Sequence, residues 1–158
     1  MTEQLRLRPV TEADRDTIFA IESDAEGANM IAFLPRDPGD RAAFDAHWEK
    51  IRADPEVRHW LALEGETVVG YYLSFLTGSD RDIGYWLVRE YWGRGYGTAG
   101  LALLLEELLE RPLFGRVISD NLGSRRVLEK NGFVVVEQLR TTAVRREGEV
   151  TELVLRLD

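Results

Sequence analysis

One stretch, residues 83–100 with the sequence IGYWLVREYWGRGYGTAG, constrains the fold more than any other part of the chain. Residues 83–88 are mostly apolar, β-branched or aromatic, which predicts a buried strand. Glycines follow at positions 93, 95 and 97, and leucines at helical spacing then predict a helix over residues 98–109. Glycine lets the backbone approach a ligand closely, and the free N–H groups at a helix N-terminus attract anions. The stretch therefore predicts a phosphate site, with Arg94 beside it.

The same loop also fits the dinucleotide-binding fingerprint of an oxidoreductase. Gly95, Gly97 and Gly100 match G-x-G-x-x-G, and Asp120 follows at roughly the 20-residue distance that this motif requires. Against this interpretation, residues 89–94 separate the strand from the first of these glycines. The 38 residues after Asp120 are also too few to complete a doubly wound fold. A glycine-rich turn without any ligand is the third interpretation.

Composition limits the class of protein. A chain of 158 residues with 44% hydrophobic residues is expected to form a single domain, residues 1–158, with a substantial core. It has no cysteine and two histidines, so neither a disulfide nor a metal site is expected. The net charge of −8 argues against nucleic-acid binding and permits a cationic acceptor. Since we find no signal peptide and no long apolar run, we expect a cytoplasmic protein without membrane association.

The order of periodic segments predicts the pattern β-α-α-β-β-β-α-β-α-β-β. Thr11 is expected to cap the first helix, and Pro112 and Gly115 are expected to break the chain before a short strand. The predicted strands are 5–10, 59–63, 67–76, 82–88, 117–119, 133–139 and 150–157, and the later helices are 40–53, 98–109 and 121–130. This order predicts a mixed sheet with helices on both faces.

Three motifs resemble the GNAT acetyltransferase superfamily. The first is the R-x-x-G-x-A pattern at Arg94, Gly97 and Ala99. The second, DNLGSRRVLEKNGF at residues 120–133, resembles the N-x-x-S-x-R-V-L-E-K-x-G-F signature of the branch with the ribosomal-protein N-terminal acetyltransferases. The third is LRPVTEAD at residues 7–14. The resemblance spans nearly the whole chain and implies a mixed α/β fold. Its sheet would be mostly antiparallel, with about six or seven strands and one splayed pair that holds CoA.

The resemblance implies acetyl-CoA as the cofactor. The backbone amides of residues 94–98 would bind its pyrophosphate, and the pantetheine arm would lie between the strand before the loop and residues 117–119. The amide of Val88 would polarise the thioester carbonyl. Asn121 would form a hydrogen bond to the pantetheine arm, and its alternative role is to cap the helix that it precedes. The cofactor-binding residues implied in this way are Leu87, Val88, Arg94, Gly95, Tyr96, Gly97, Thr98, Asn121 and Ser124.

The catalytic acid and base are expected at Ser124 and Asp82. Many members of the family have a tyrosine acid where this chain has Leu128, so Ser124, on the same helix face, is the candidate acid. Asp82 lies on one strand face with Gly84 and Trp86 and is the candidate base, acting through a water. Their alternatives are an exposed serine in the first turn of a helix and a solvent-facing acid at a strand end.

Other residues are candidates for the acceptor side. Glu26 is another acidic residue expected near the acceptor, and residues 30–34 would form one wall of the acceptor cleft. Tyr85, Trp86, Tyr91 and Trp92 form an aromatic cluster that belongs mostly to the core, with one or two members lining the cleft.

The resemblance therefore implies an acetyl-CoA-dependent N-acetyltransferase. The acetyl group would pass directly to a primary amine, of a protein N-terminus or a small molecule, in a ternary complex. The alternative is a non-catalytic acyl-CoA-binding or sensor domain of the same fold. Loops 27–38 and 142–148 would select the acceptor, and a homodimer is compatible with the resemblance.

Overall fold

A computed structural model describes residues 4–24, 39–142 and 149–158 of the chain. The secondary structure elements are β1 Leu5–Pro9, α1 Arg15–Glu22, α2 Arg41–Ala53, β2 Arg58–Glu64, β3 Thr67–Thr77, β4 Asp80–Leu87, α3 Tyr96–Glu107, β5 Leu113–Ile118, α4 Leu122–Lys130, β6 Val134–Thr142 and β7 Glu149–Leu157. The predicted order of elements and the mixed sheet with helices on both faces are confirmed.

A seven-stranded sheet in the order β1-β2-β3-β4-β5-β7-β6 forms the centre of the molecule. Neighbouring strands are antiparallel except β4 and β5, which run parallel. A parallel pair needs a crossover connection, and α3 supplies it. The glycine loop therefore lies at the carboxyl end of a strand in the middle of the sheet.

Each face of the sheet carries its own apolar core. On one face, Leu101 and Leu104 of α3 and Leu128 of α4 pack against Tyr72 of β3. On the other face, Phe44 and Trp48 of α2 pack with neighbouring strand residues. The face with α3 and α4 is the one that supports the glycine loop.

The helix starts follow local capping chemistry. The backbone N–H of Thr11 donates to Asp14 at 2.8 Å, in a capping box before α1. Asp40 caps α2, because its side chain accepts from the Ala43 amide at 3.0 Å. Asp40 thus confirms the predicted start of α2, whereas Thr11 caps a short 3₁₀ helix, Glu12–Asp14, that leads into α1. Among the described helices, none is long and apolar enough to cross a membrane.

The expected break at Gly115 is wrong, whereas Pro112 does lie in the break before β5. β5 begins at Leu113 and runs through Gly115, where the sequence predicted a break and a strand of residues 117–119 only. A β-carbon at Gly115 would lie 2.9 Å from Cδ2 of Leu128. The glycine is therefore explained by the close approach of α4 to the strand and does not end the strand.

We expect Gly100→Ala to destabilise the fold by about 1–3 kcal/mol, because the core there is already full. A β-carbon at this position of α3 would overlap the Tyr72 hydroxyl and lie 2.6 Å from its Cζ atom. Denaturant unfolding measures the change. The matched control is Gly123→Ala in α4, where nothing lies within 4 Å, and where alanine should stabilise the helix by up to about 1 kcal/mol. Equal effects of the two substitutions would contradict the packing argument.

Candidate active site

The site begins where β4 and β5 separate. The two strands share three residue pairs, of which the last is Ile83–Gly115. Beyond that pair, β4 continues along β3 to Leu87, and β5 continues along β7 to Ile118. Each strand thus keeps one neighbour and loses the other, so the predicted splayed strand pair is present.

A cleft of about 580 Å³ fills the opening between these strands. Its walls come from the end of β4, the glycine loop, the start of α4 and the end of α1. The residues on these walls include Ile21, Asp24, Tyr85, Trp86, Leu87, Trp92, Gly95, Gly97, Thr98, Asn121, Ser124, Arg126 and Lys130. The structure therefore brings together most of the predicted cofactor residues.

The glycine loop presents backbone N–H groups to the cleft. Gly93 and Gly95 have φ values of 70° and 85°, in the left-handed region that favours glycine. Gly95 is the N-cap of α3, and its carbonyl accepts the first helical bond, from Ala99 at 3.1 Å. The amides of the first helical turn have no partner within the helix. Because they carry the positive end of the helix dipole, an anion would be stabilised here.

Two side chains of the loop point elsewhere. The Arg94 guanidinium lies over the rings of Tyr91 and Tyr96, 5.3 and 5.4 Å from their centroids. It also donates to the Glu90 carbonyl at 3.3 Å, and it is not among the described residues that line the cleft. Tyr96 is buried, and its hydroxyl donates to the Glu64 carboxylate at 2.8 Å. Any contact of Tyr96 with an anion would come from its amide.

The cations on the cleft walls are Arg126 and Lys130 of α4. Sequence reasoning missed both, although their i,i+4 spacing places them on one helix face. Two carboxylates, Asp24 and Asp120, line the same cleft. An anion held at the start of α3 would therefore have cationic side chains of α4 in the same cleft, with these carboxylates partly balancing their charge.

The expected role of the Val88 amide does not hold. This N–H donates to the Val69 carbonyl of β3 at 2.9 Å, so it is not available to a thioester. Successive amides of a strand point to opposite edges. The amides of Tyr85 and Leu87 therefore point to the edge that β5 has left. The Leu87 carbonyl points there too, and it accepts from the Trp92 indole at 2.8 Å.

Asn121 and Ser124 lie together at the start of α4. The Asn121 side chain accepts from the Ser124 amide at 3.1 Å, so it caps the helix and also lines the cleft. The Ser124 hydroxyl lies 2.7 Å from the Tyr85 hydroxyl. Burial raises the pKa of Tyr85 to about 12, and the Ser124 contact opposes the rise. Sequence reasoning grouped Tyr85 with an aromatic cluster and missed this hydroxyl pair.

Asp82 lies outside these walls, where β4 and β5 still pair. It is 2% exposed, and its Oδ2 accepts from Arg116 at 3.0 Å and from Thr77 at 2.8 Å. Its Oδ1 has no hydrogen-bond partner among the described residues. Glu152 is also buried, and burial raises its pKa above the usual value for a glutamate. The charge of Arg116 opposes this rise, and the charge of Asp82 adds to it. The role of Asp82 as a base stays a prediction.

The aromatic cluster divides between cleft and core. Trp86 and Trp92 line the cleft with Tyr85, whereas Tyr91 packs edge-on against Tyr96 at 5.0 Å. The predicted acceptor wall at residues 30–34 and the alternative acid Glu26 lie outside the described residues. Loop 27–38 also lies outside the described residues, and of loop 142–148 only the backbone of Thr142 is described.

Comparisons with known proteins agree with this geometry. The family model described as an acetyltransferase (GNAT) domain matches residues 4–134. No curated protein matches the chain in sequence. Among solved structures, spermidine N-acetyltransferase from Vibrio cholerae, in complex with CoA and spermine, has a TM-score of 0.83 at 15% identity, covering 98% of this chain and 95% of that one.

Two further solved structures have the same fold. RimJ from Mycobacterium smegmatis, in complex with CoA-disulfide, has a TM-score of 0.80 at 21% identity, covering 97% of this chain and 81% of that one. Ribosomal-protein-alanine N-acetyltransferase from Brucella melitensis has a TM-score of 0.76 at 23% identity, covering 96% and 98%. The likeness shows the fold, and the family model spans most of the sequence. The chain therefore belongs to the GNAT acetyltransferase family and is an acyltransferase.

Proposed function

We propose that this protein transfers the acetyl group of acetyl-CoA directly to a primary amine, with both substrates bound together. The observation that supports the proposal is that two features border the same cleft: the edge of β4 from which β5 has separated, and the N-terminus of α3. An elongated ligand with amides at one end and phosphates at the other matches these two features. CoA has that chemistry, and the Vibrio cholerae and Mycobacterium smegmatis structures both contain a form of it.

The cofactor would lie along the cleft with its phosphates at the glycine loop. Amides of residues 95–98 would bind the pyrophosphate, and Arg126 and Lys130 would add positive charge from α4. The pantetheine amides would take the place of β5 along Leu87 and Tyr85. A strand edge offers both donors and acceptors, and such an edge readily pairs with another extended chain.

Transfer would then need little covalent help from the protein. The neutral amine attacks the thioester carbon, the C–N bond forms, the C–S bond breaks with its electron pair on sulfur, and the amine proton passes to water. A backbone amide of β4 would stabilise the oxyanion, an interaction whose removal costs about 10²–10³-fold in other enzymes. The chain contains no cysteine, so the route does not include an acyl-cysteine.

The acceptor is proposed only as a class. Among the similar structures, one is a spermidine N-acetyltransferase and another is a ribosomal-protein-alanine N-acetyltransferase, so both a polyamine and a protein N-terminus belong in a first panel. The net charge of −8 favours a cationic acceptor. A cytoplasmic location, a homodimer and the lack of nucleic-acid or membrane partners stay predictions.

A non-catalytic acyl-CoA-binding domain is the second candidate. It is favoured by Leu128, which is 1% exposed and places no hydroxyl at the position of the family's tyrosine acid. Such a domain would bind CoA tightly and turn over none of the amines. Release of CoA thiol in the presence of the panel separates it from the enzyme.

Gly97→Glu should abolish binding of acetyl-CoA, because it places a carboxylate where the pyrophosphate would lie. Calorimetry and thermal unfolding with acetyl-CoA, CoA and NADH give the measurement, and saturating ligand at 100 times Kd would stabilise the wild type by about 2.7 kcal/mol. A β-carbon there meets Val127 Cγ2 at 3.1 Å, so packing also changes. Gly97→Gln is the control for that packing and should retain more affinity. If the wild type binds neither CoA form, the proposed function fails, and binding of NADH instead would favour the dinucleotide interpretation.

Replacing the cleft cations should weaken CoA binding more than replacing Arg94. We expect Lys130→Met and Arg126→Met each to raise the Kd for CoA about three- to tenfold at low salt, and less at high salt, because exposed charges are screened. Arg94→Met removes an equal charge from the loop, and its guanidinium is held over two rings. A larger loss for Arg94→Met than for the α4 variants would contradict this assignment. Titration calorimetry at two salt concentrations provides the comparison.

If Asp82 is the base, Asp82→Asn should lower kcat by about 10²-fold near neutral pH, since general bases typically contribute that much. The loss should shrink at high pH, where the amine is already neutral. Stability must be measured in parallel, because the substitution leaves Arg116 without its carboxylate. Glu152→Gln is the matched control for a second buried carboxylate on β7. A pH-independent loss, or an equal loss in both variants, would argue that Asp82 has a structural role.

A further inference from the structure

The cleft contains a pair of hydroxyl groups whose mutual contact the sequence motifs do not predict. The Tyr85 hydroxyl lies 2.7 Å from the Ser124 hydroxyl and 3.3 Å from the Ser124 carbonyl oxygen. Both residues line the cleft. They are 39 positions apart in sequence and meet because α4 begins beside the open edge of β4.

A second tyrosine packs against the Tyr85 ring. The ring stacks on Tyr72 with centroids 5.4 Å apart and planes at 19°. Tyr72 is fully buried, and its own hydroxyl donates to the Gly97 carbonyl at 3.3 Å. The stack therefore fixes the position of the Tyr85 hydroxyl beside Ser124. Tyr72 also links the Tyr85 ring to the glycine loop through its hydrogen bond to Gly97.

Two arrangements of hydrogen atoms satisfy this pair. In the first, Tyr85 donates to Ser124 Oγ, and the serine proton is free to point into the cleft. In the second, Ser124 donates to Tyr85, whose proton then goes to the Ser124 carbonyl, and no hydroxyl proton faces the cleft. Negative charge in the cleft selects the first arrangement, because hydrogen bonds to a charged acceptor are roughly twice as strong as neutral ones.

We propose that Tyr85 is a positioning residue that donates to Ser124 Oγ and thereby directs the serine proton at the sulfur of the departing CoA thiolate. The inference rests on the proposed function and deepens it. During transfer the electron pair of the breaking C–S bond stays on sulfur, and the serine proton stays on oxygen and forms a hydrogen bond to it. The attacking amine gives its proton to water, so the bonds and charges balance without any transfer from Tyr85.

Relative acidities explain why the pair donates hydrogen bonds and does not transfer protons. A free thiol has a pKa of about 8.5, whereas burial raises the pKa of Tyr85 to about 12. Moving a proton from that tyrosine to the thiolate would be uphill, so the thiolate leaves as an anion. Leu128 occupies the position where many family members have a tyrosine acid, and it is buried against Gly115 and has no hydroxyl.

The direct test is the pKa of the CoA thiol when bound. Because the chain has no cysteine, the ultraviolet absorption of a thiolate in the complex comes from CoA alone, and desulfo-CoA provides the blank for tyrosine ionisation. A hydrogen bond to the anion lowers its pKa. We expect the wild type to hold the bound thiol about one unit below its free value, and Ser124→Ala to remove that shift.

The role of Tyr85 follows from a double-mutant cycle. Tyr85→Phe keeps the ring and should also raise the thiol pKa, but it should add nothing in the Ser124→Ala background. The control is Tyr71→Phe, which removes a buried hydroxyl that contacts His59 and is expected to leave the thiol pKa unchanged. With any amine that turns over, Tyr85→Phe should lower kcat and leave the KM for acetyl-CoA within about twofold.

The outcomes separate the two levels of the argument. A wild type that binds no CoA would overturn the proposed function and this inference together. If CoA binds but its thiol pKa is the same in all variants, the inference alone is overturned. Shifts of Tyr85→Phe and Ser124→Ala that add fully would mean that Tyr85 acts without Ser124, which also overturns it.

Discussion

The site depends on two parallel strands that pair for three residues and then part. After Ile83–Gly115, β4 stays bonded to β3, and β5 stays bonded to β7. Each strand is therefore stable on its outer edge, and only the inner edges lose their ladder. Buried backbone groups need partners, so these inner edges form a template for an extended ligand with amides. The lack of a side chain at Gly115 lets Leu128 of α4 pack closely beside the point of separation.

Local charge in the cleft differs from the charge of the whole chain. The net charge of the chain is −8, whereas the cleft is lined by two cations, Arg126 and Lys130, by two carboxylates, Asp24 and Asp120, and by the start of α3. A helix terminus offers fixed partial charge that costs no reorganisation when an anion arrives. Arg94, the cation that the loop motif singles out, is held over Tyr91 and Tyr96. The anion-binding character of the site therefore comes from backbone geometry and α4 as much as from the motif itself.

The polar chemistry lies on both faces of the sheet. Tyr85 and Ser124 meet on the face covered by α3 and α4, on the side of the open edge. Asp82, Arg116 and Glu152 lie where alternation along β4, β5 and β7 points side chains to the other face. Such a division suits a transfer in which the leaving group and the incoming amine approach from different sides. In the proposed transfer the thiolate is a good leaving group, so hydroxyl hydrogen bonds would suffice on its side, whereas an ammonium acceptor would lose its proton on the other.

The sequence by itself determined the order of the elements, the helix caps, the glycine loop and the family. These depend on hydrophobic period, on left-handed backbone at glycine and on side chains within a few residues, all of which are local. Only the tertiary structure decided where individual groups point. The Val88 amide donates to the Val69 carbonyl, and the Arg94 guanidinium packs over two tyrosine rings. The Tyr85 hydroxyl contacts that of Ser124, 39 positions away in the sequence. Strand register and the approach of α4 set these contacts, and both result from packing between segments that are distant in the chain.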